Sequence, residues 1–210
     1  RRILPAVRPG WPAVGDAGPV NYLLVAVAYM LGTLPSAQLV AGRSGVDPTS
    51  AGSGNPGATN VYRTAGRRAG LVVFAADVGK GIAAVALGMA VAGRPLALAC
   101  WVAATVGHVL PVTRRFRGGK GVATGGGGSI VLFPVLAVGS IVLFALVARV
   151  SGKASMGSIA IAVALPTAVA ATGNGVGESL VAAGISALVV LRHVANIQRL
   201  IAGDEGSWKR

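Results

Sequence analysis

Residues 122–148 read VATGGGGSIVLFPVLAVGSIVLFALVA. As a single helix this run would be about 40 Å long, too long for one upright membrane crossing and too short for two complete ones. Its reading decides the fold, because the other apolar runs, 20–41, 70–92, 95–112, 155–172 and 179–191, each suit one crossing. If 122–148 crosses once, Arg63, Arg67, Arg68, Arg114, Arg115, Arg117 and Lys120 face one side. Arg149, Lys153 and the basic residues from Arg192 onward then face the other. If it crosses twice, turning near Phe133-Pro134, every major basic cluster faces one side, leaving only Arg94 and Arg1, Arg2 and Arg8 opposite. The bias of Lys and Arg toward the cytoplasm favours the second arrangement. The expected fold is an all-α, polytopic membrane helix bundle of about seven transmembrane helices, N-terminus out and C-terminus in, with short or re-entrant helices between residues 122 and 148. Residues 1–19 read as a flexible, Pro-rich tail, 20–202 as a single transmembrane domain, and 203–210 as a cytoplasmic C-terminal tail.

Composition supports a membrane chain. Of the 210 residues 53% are hydrophobic and 12% charged, whereas soluble domains carry roughly 25% charge. The mean hydropathy is +0.70. A net charge of +13 suggests nucleic acid, but the Lys and Arg residues lie between apolar runs and aromatics are scarce, so no nucleic-acid partner is expected. Cys100 lies in an apolar run and reads as a core residue, without a disulfide or thiolate cluster. The two histidines and six carboxylates are not spaced as ligands. No metal or cofactor is expected.

Within the spans, Gly125 to Gly128 read as a helix-packing surface rather than a binding loop. Asp77 and Lys80, at i and i+3, read as an inward-facing structural pair.

Three polar stretches carry chemistry. The first, Gly52-Ser53-Gly54-Asn55-Pro56-Gly57-Ala58-Thr59-Asn60-Val61-Tyr62-Arg63, combines tight turns, which can gather backbone N–H groups around an anion, with neutral donors and a guanidinium suited to phosphate. By itself it could equally be an ordinary polar loop. The second, Phe116-Arg117-Gly118-Gly119-Lys120-Gly121-Val122-Ala123-Thr124, presents an ammonium where a helix begins and its dipole favours an anion. Its likeness to a nucleotide P-loop is superficial, because the upstream glycine spacing, a Ser or Thr directly after Lys and a preceding strand are missing. In the third, Arg192-His193-Val194-Ala195-Asn196-Ile197-Gln198-Arg199-Leu200 with Gly203-Asp204-Glu205 after it, His193 and Asn196 emerge on one helix face. Many anion donors and one candidate base suggest binding of, or transfer on, a phosphate-bearing molecule.

In order and spacing, these stretches resemble the bacterial acyl-phosphate:glycerol-3-phosphate acyltransferase family from about Asn21 to Glu205, with Gly32-Thr33-Leu34-Pro35-Ser36 of the first span also similar. The resemblance implies seven spans in the bacterial cytoplasmic membrane and an active site open to the cytoplasm. It also implies acyl transfer from acyl phosphate to the 1-hydroxyl of sn-glycerol 3-phosphate, giving lysophosphatidate and phosphate. Expected partners are these two small molecules and the lipid bilayer, with a monomer as the working unit. Ser53 and Arg63 match the family's first-loop phosphate-binding positions, Lys120 its second-loop lysine, and His193 and Asn196 its third-loop polar pair. Thr59 and Asn60 match positions for substrate contact or loop shape. The expected phosphate-binding set is therefore Ser53, Gly54, Asn55, Thr59, Asn60, Arg63, Gly118, Gly119 and Lys120, with His193, Asn196 and Lys120 as the catalytic set. An anion transporter would instead line a central path and show repeated halves. A purely structural subunit would tolerate alanine at Ser53, Arg63, Lys120 and His193.

Overall fold

The computed structural model describes residues 18–208; most of the expected N-terminal tail lies outside the described residues. Within them the chain is helical: α1 (Pro19–Thr33), α2 (Ser36–Gly42), α3 (Ala58–Thr64), α4 (Arg67–Val109), α5 (Val122–Leu132), α6 (Pro134–Ser151), α7 (Ala154–Ala171), α8 (Val176–Leu191) and α9 (Val194–Ala202). The breaks follow from local chemistry. Pro35 drives Leu34 out of the helical region, to φ −54° and ψ 125°, and separates α1 from α2. α4 is interrupted at Ala92 and Gly93, the latter at φ 70°. A Cβ built on Gly88 would lie 2.9 Å from the Cα of Ala97, whereas a straight helix would separate these positions by about 13 Å. The two arms, 67–91 and 94–109, therefore fold back as a hairpin.

The run that decides the fold divides at Phe133-Pro134. Phe133 takes φ −139° and ψ 62°, and Pro134 opens α6 at a position that needs no N–H donor. At eleven residues, α5 rises only about 16 Å, half of a hydrocarbon layer of about 30 Å. It lies directly on the α4 hairpin. A Cβ on Gly127 would come within 2.2 Å of the Val78 carbonyl oxygen, and one on Gly128 within 2.1 Å of the Trp101 ring. From the other side, a Cβ on Gly81 would lie 2.1 Å from the Thr124 carbonyl oxygen. Trp101 Nε1 closes the contact by donating to the Gly125 carbonyl at 2.8 Å. The glycine run is thus the packing surface expected from sequence, except for Gly126, which faces open space.

At the far end of α5, Arg94 on the hairpin tip donates to the Leu132 carbonyl at 3.1 Å and clamps Glu178 of α8 at 2.6 and 2.9 Å. Its guanidinium stacks 5.2 Å from the Phe133 ring centroid. One cation thereby satisfies an orphan carbonyl of a helix that ends inside the protein.

Four helical segments are long and apolar enough to cross a membrane, or five if α8 and α9 count as one bent span. α4 counts once in that number although it contains two antiparallel arms, and α5 is a shorter apolar helix. α6 exposes Val135, Val138, Val142 and Leu146, and α1, α4 and α8 expose Leu23, Leu87 and Leu180. Exposed apolar side chains in this number suit lipid rather than water. Replacing Gly127 with Ala drives a methyl group into the Val78 carbonyl and is expected to destabilise the fold by about 1–3 kcal/mol. Gly126→Ala, with nothing within 4 Å, is expected to be tolerated; thermal midpoints of the two variants in detergent test the contrast.

Candidate active site

The three polar stretches converge on one cavity of about 290 Å³. Its polar part is lined by Ser53, Asn55, Thr59, Asn60, Arg63, Lys120, His193, Asn196 and Glu205, and its apolar part by Phe74, Val78, Ile130, Ile141 and Phe144. Gly54, Gly118 and Gly119, expected among the phosphate-binding residues, are not on the cavity wall.

The first loop is organised by Asn60, which is 2% exposed. Its Oδ1 accepts the Ser53 N–H at 2.9 Å, and its Nδ2 donates to the carbonyls of Pro48 and Ala51, both at 2.9 Å. Between substrate contact and loop shape, this geometry favours loop shape. Gly52 turns at φ 60°, where a Cβ would strike Asn60 Oδ1. α3 then carries Thr59 and Arg63 on one helix face.

In the second loop, Gly119 donates its N–H to the His108 carbonyl at 3.1 Å and Gly118 to that of Val109 at 3.2 Å. Arg192 donates to the carbonyls of Gly118 and Gly119 at 3.0 and 3.3 Å. Since a Cβ on Gly119 would lie 2.2 Å from His108 Nε2, these glycines supply shape, with their N–H groups already paired. The loop holds Lys120 immediately before the start of α5, a helix whose first turn lacks a side-chain cap.

The third stretch joins the second directly. Lys120 Nζ donates to Asn196 Oδ1. Asn196 Nδ2 donates to Glu205 Oε1 at 2.6 Å, Ser155 Oγ donates to the same oxygen at 2.7 Å, and Arg199 Nε donates to Oε2 at 2.8 Å. Glu205 is absent from the sequence-derived site because it lies in the segment read as a tail. A carboxylate just after a basic helix, in a chain with only six acidic residues, is the signal that could have found it. Burial works to raise its carboxyl pKa, but the hydrogen bonds from Ser155, Asn196 and Arg199 outweigh this and hold it below its ordinary value.

Burial, with Arg199, Arg63 and Arg192 nearby, lowers the Lys120 pKa to about 8 despite the opposing Glu205. His193, in the turn between α8 and α9, is 1% exposed, and its Nδ1 contacts the Val189 carbonyl at 2.8 Å. A carbonyl can only accept, so Nδ1 carries the proton and Nε2 keeps a free lone pair in the neutral ring. Burial, reinforced by Lys120, lowers the His193 pKa to about 4, so the ring is neutral near pH 7.

Beside the Lys120 loop, Asp77 pairs with Lys80 at 2.9 Å and accepts from Ser36 Oγ at 2.6 Å; both members of the pair are buried. Lys80 also donates to the Leu34 carbonyl at 3.3 Å. This is the inward structural pair expected from sequence, and Asp77 additionally reaches the cavity wall.

Exposed apolar helices around a chamber that holds Arg63 and Lys120 are the features of an integral-membrane protein with a charged internal site. Comparison with known proteins narrows the class. The glycerol-3-phosphate acyltransferase family model matches residues 22–203. The chain is 40% identical to the glycerol-3-phosphate acyltransferase of Geobacter sulfurreducens over 191 residues, covering 89% of this chain and 97% of that protein. It is 41% identical over 187 residues to that of Rubrobacter xylanophilus, covering 89% and 94%. Among solved structures it resembles PlsY (YgiH), an integral membrane glycerol 3-phosphate acyltransferase, in its glycerol 3-phosphate form. The TM-score is 0.86 at 33% identity, covering 90% of this chain and 95% of that one. The lysophosphatidic acid form gives a TM-score of 0.84 at the same identity. The chain belongs to the glycerol-3-phosphate acyltransferase family.

If Lys120 binds its anion as the ammonium, binding is full below about pH 8 and falls as pH rises through that value. The KM for the anionic substrate is therefore expected to climb above about pH 8 in the wild type. Lys120→Arg, whose charge persists, should push that climb to higher pH; a KM profile from pH 6 to 10 checks it.

Proposed function

We propose that the protein transfers a fatty acyl group from acyl phosphate to the 1-hydroxyl of sn-glycerol 3-phosphate, giving lysophosphatidate and inorganic phosphate at the cytoplasmic face of the bacterial plasma membrane. One observation carries the reading: a single cavity joins a cluster of phosphate-complementary donors to an apolar pocket. Such a chamber suits a substrate with an anionic head and a lipid tail. The PlsY structures in glycerol 3-phosphate and lysophosphatidic acid forms support the acceptor and product.

In this reading Arg63, Lys120 and Ser53 hold the phosphate groups, and the N-terminal end of α5 adds its dipole. His193 Nε2 and Asn196 orient the glycerol hydroxyl. The hydroxyl oxygen bonds to the acyl carbon, the bond from that carbon to the phosphate oxygen breaks, and the hydroxyl proton ends on the released phosphate. The mixed anhydride is already activated, so no covalent enzyme intermediate is required, and positioning with charge stabilisation supplies the rate.

The proposed orientation of seven crossings, C-terminus in, has a charge argument. Among the described residues, Arg94 is the one Lys or Arg at the hairpin-tip end, and Glu178 neutralises it. Arg63, Lys120 and Arg149 belong to the opposite end.

Lys120→Ala and Arg63→Ala are each expected to cut acyl transfer by about 10²-fold or more while the thermal midpoint stays near the wild-type value. Lysophosphatidate formation from palmitoyl phosphate and labelled glycerol 3-phosphate measures it. Near-wild-type rates in both variants would refute the assigned phosphate site.

A further inference from the structure

Residues after Gly203 lie beyond the part of the chain that matches the family model, yet they are built into the cavity wall. Glu205, Gly206 and Trp208 all line the cavity. The segment is held at both ends. Glu205 is bound by Ser155, Asn196 and Arg199. Three residues on, the Trp208 N–H and the Ser207 hydroxyl both donate to the Gly152 carbonyl at 3.0 Å, and Trp208 Nε1 donates to the Ala148 carbonyl at 2.9 Å. These bonds cap carbonyls at the end of α6 that the helix itself leaves unpaired. Between the anchors the backbone passes close to Arg63: a Cβ on Gly206 would lie 2.9 Å from Arg63 Nη1. The strap therefore runs from the α6–α7 turn to the phosphate-binding arginine, and its indole lines the same cavity as Ile141 and Phe144.

An acyl phosphate is as open to water as to an alcohol. In hydrolysis, the water oxygen bonds to the acyl carbon and the bond to the phosphate oxygen breaks. The products are a fatty carboxylate and phosphate, with one proton on the phosphate and one released to solvent. A transferase using this donor must keep water from the carbonyl while the acceptor site fills. We propose that the strap 206–208, through Trp208, is a specificity-determining wall that excludes bulk water from the bound donor, so that the glycerol hydroxyl and not water takes the acyl group. The proposal rests on the acyl-phosphate reading above. It assigns Trp208 a part in partition between two acceptors rather than in the transfer step itself.

The test uses the purified full chain with Trp208→Ala and Trp208→Phe. Phosphate release from palmitoyl phosphate without glycerol 3-phosphate reports hydrolysis, and lysophosphatidate formed with it reports transfer. The ratio of hydrolysis to transfer is expected to rise several-fold in Trp208→Ala and less in Trp208→Phe, which keeps a ring but loses the bond to Ala148. Ratios equal to wild type in both variants, or a proportional fall of both activities, would overturn the wall assignment. If Trp208→Ala does not fold, Trp208→Phe decides by the same criterion. A wild type that makes no lysophosphatidate from palmitoyl phosphate would overturn the donor reading and this proposal with it, a result distinct from an unchanged ratio.

Discussion

The structure depends on the backbone contact between α5 and the α4 hairpin. Because Gly81 and Gly127 carry no side chains, the Val78 and Thr124 carbonyls can sit where a Cβ would otherwise be. A helix of eleven residues can then end against the hairpin tip with its C-terminal carbonyl held by Arg94. Its N-terminal end opens onto the cavity, where Lys120 joins the lining. Close packing of small residues takes here the place that hydrophobic burial holds in soluble proteins. Two further constraints follow from it: Pro134 must start a new helix, and Arg94 must find a counter-charge in Glu178.

Sinking cations into such a chamber carries an electrostatic cost, visible in the depressed Lys120 pKa. The chain offsets part of it with Glu205, whose two oxygens take hydrogen bonds from Ser155, Asn196 and Arg199, and with the Asn196 oxygen on the Lys120 ammonium. One carboxylate does not balance Lys120, Arg63 and Arg199 together. A phosphate dianion held there, as proposed, would relieve the remaining positive potential. A buried, neutral His193 fits this setting, since a protonated ring would add to the excess.

Much of the architecture was legible in the sequence because its signals are local. Pro134 and the charge pattern located the break in 122–148, and apolar length located the spans. The convergence of Ser53, Arg63, Lys120, His193 and Asn196 on one cavity was legible through the resemblance and the order of the three loops. Less legible were features that exist only between distant segments. Nothing near Gly118 or Gly119 reveals that their N–H groups turn back to His108 and Val109. Asn60 is indistinguishable in sequence from a ligand-binding amide, and its use as a loop brace appears only once Pro48 and Ala51 are seen to accept from it. Trp208 was hidden for the opposite reason: a short segment after the last helix has no periodicity from which packing could be read, and Glu205 offered only its position after a basic helix.

The proposed reaction is the meeting of an activated acyl phosphate with a glycerol phosphate hydroxyl in this chamber. Its most direct measurement is the product balance of the purified protein given glycerol 3-phosphate and either palmitoyl phosphate or palmitoyl thioester. One phosphate is expected to be released per lysophosphatidate formed from palmitoyl phosphate, and no lysophosphatidate is expected from the thioester. Lysophosphatidate made from the thioester at a comparable rate, or formed without matching phosphate release, would contradict it.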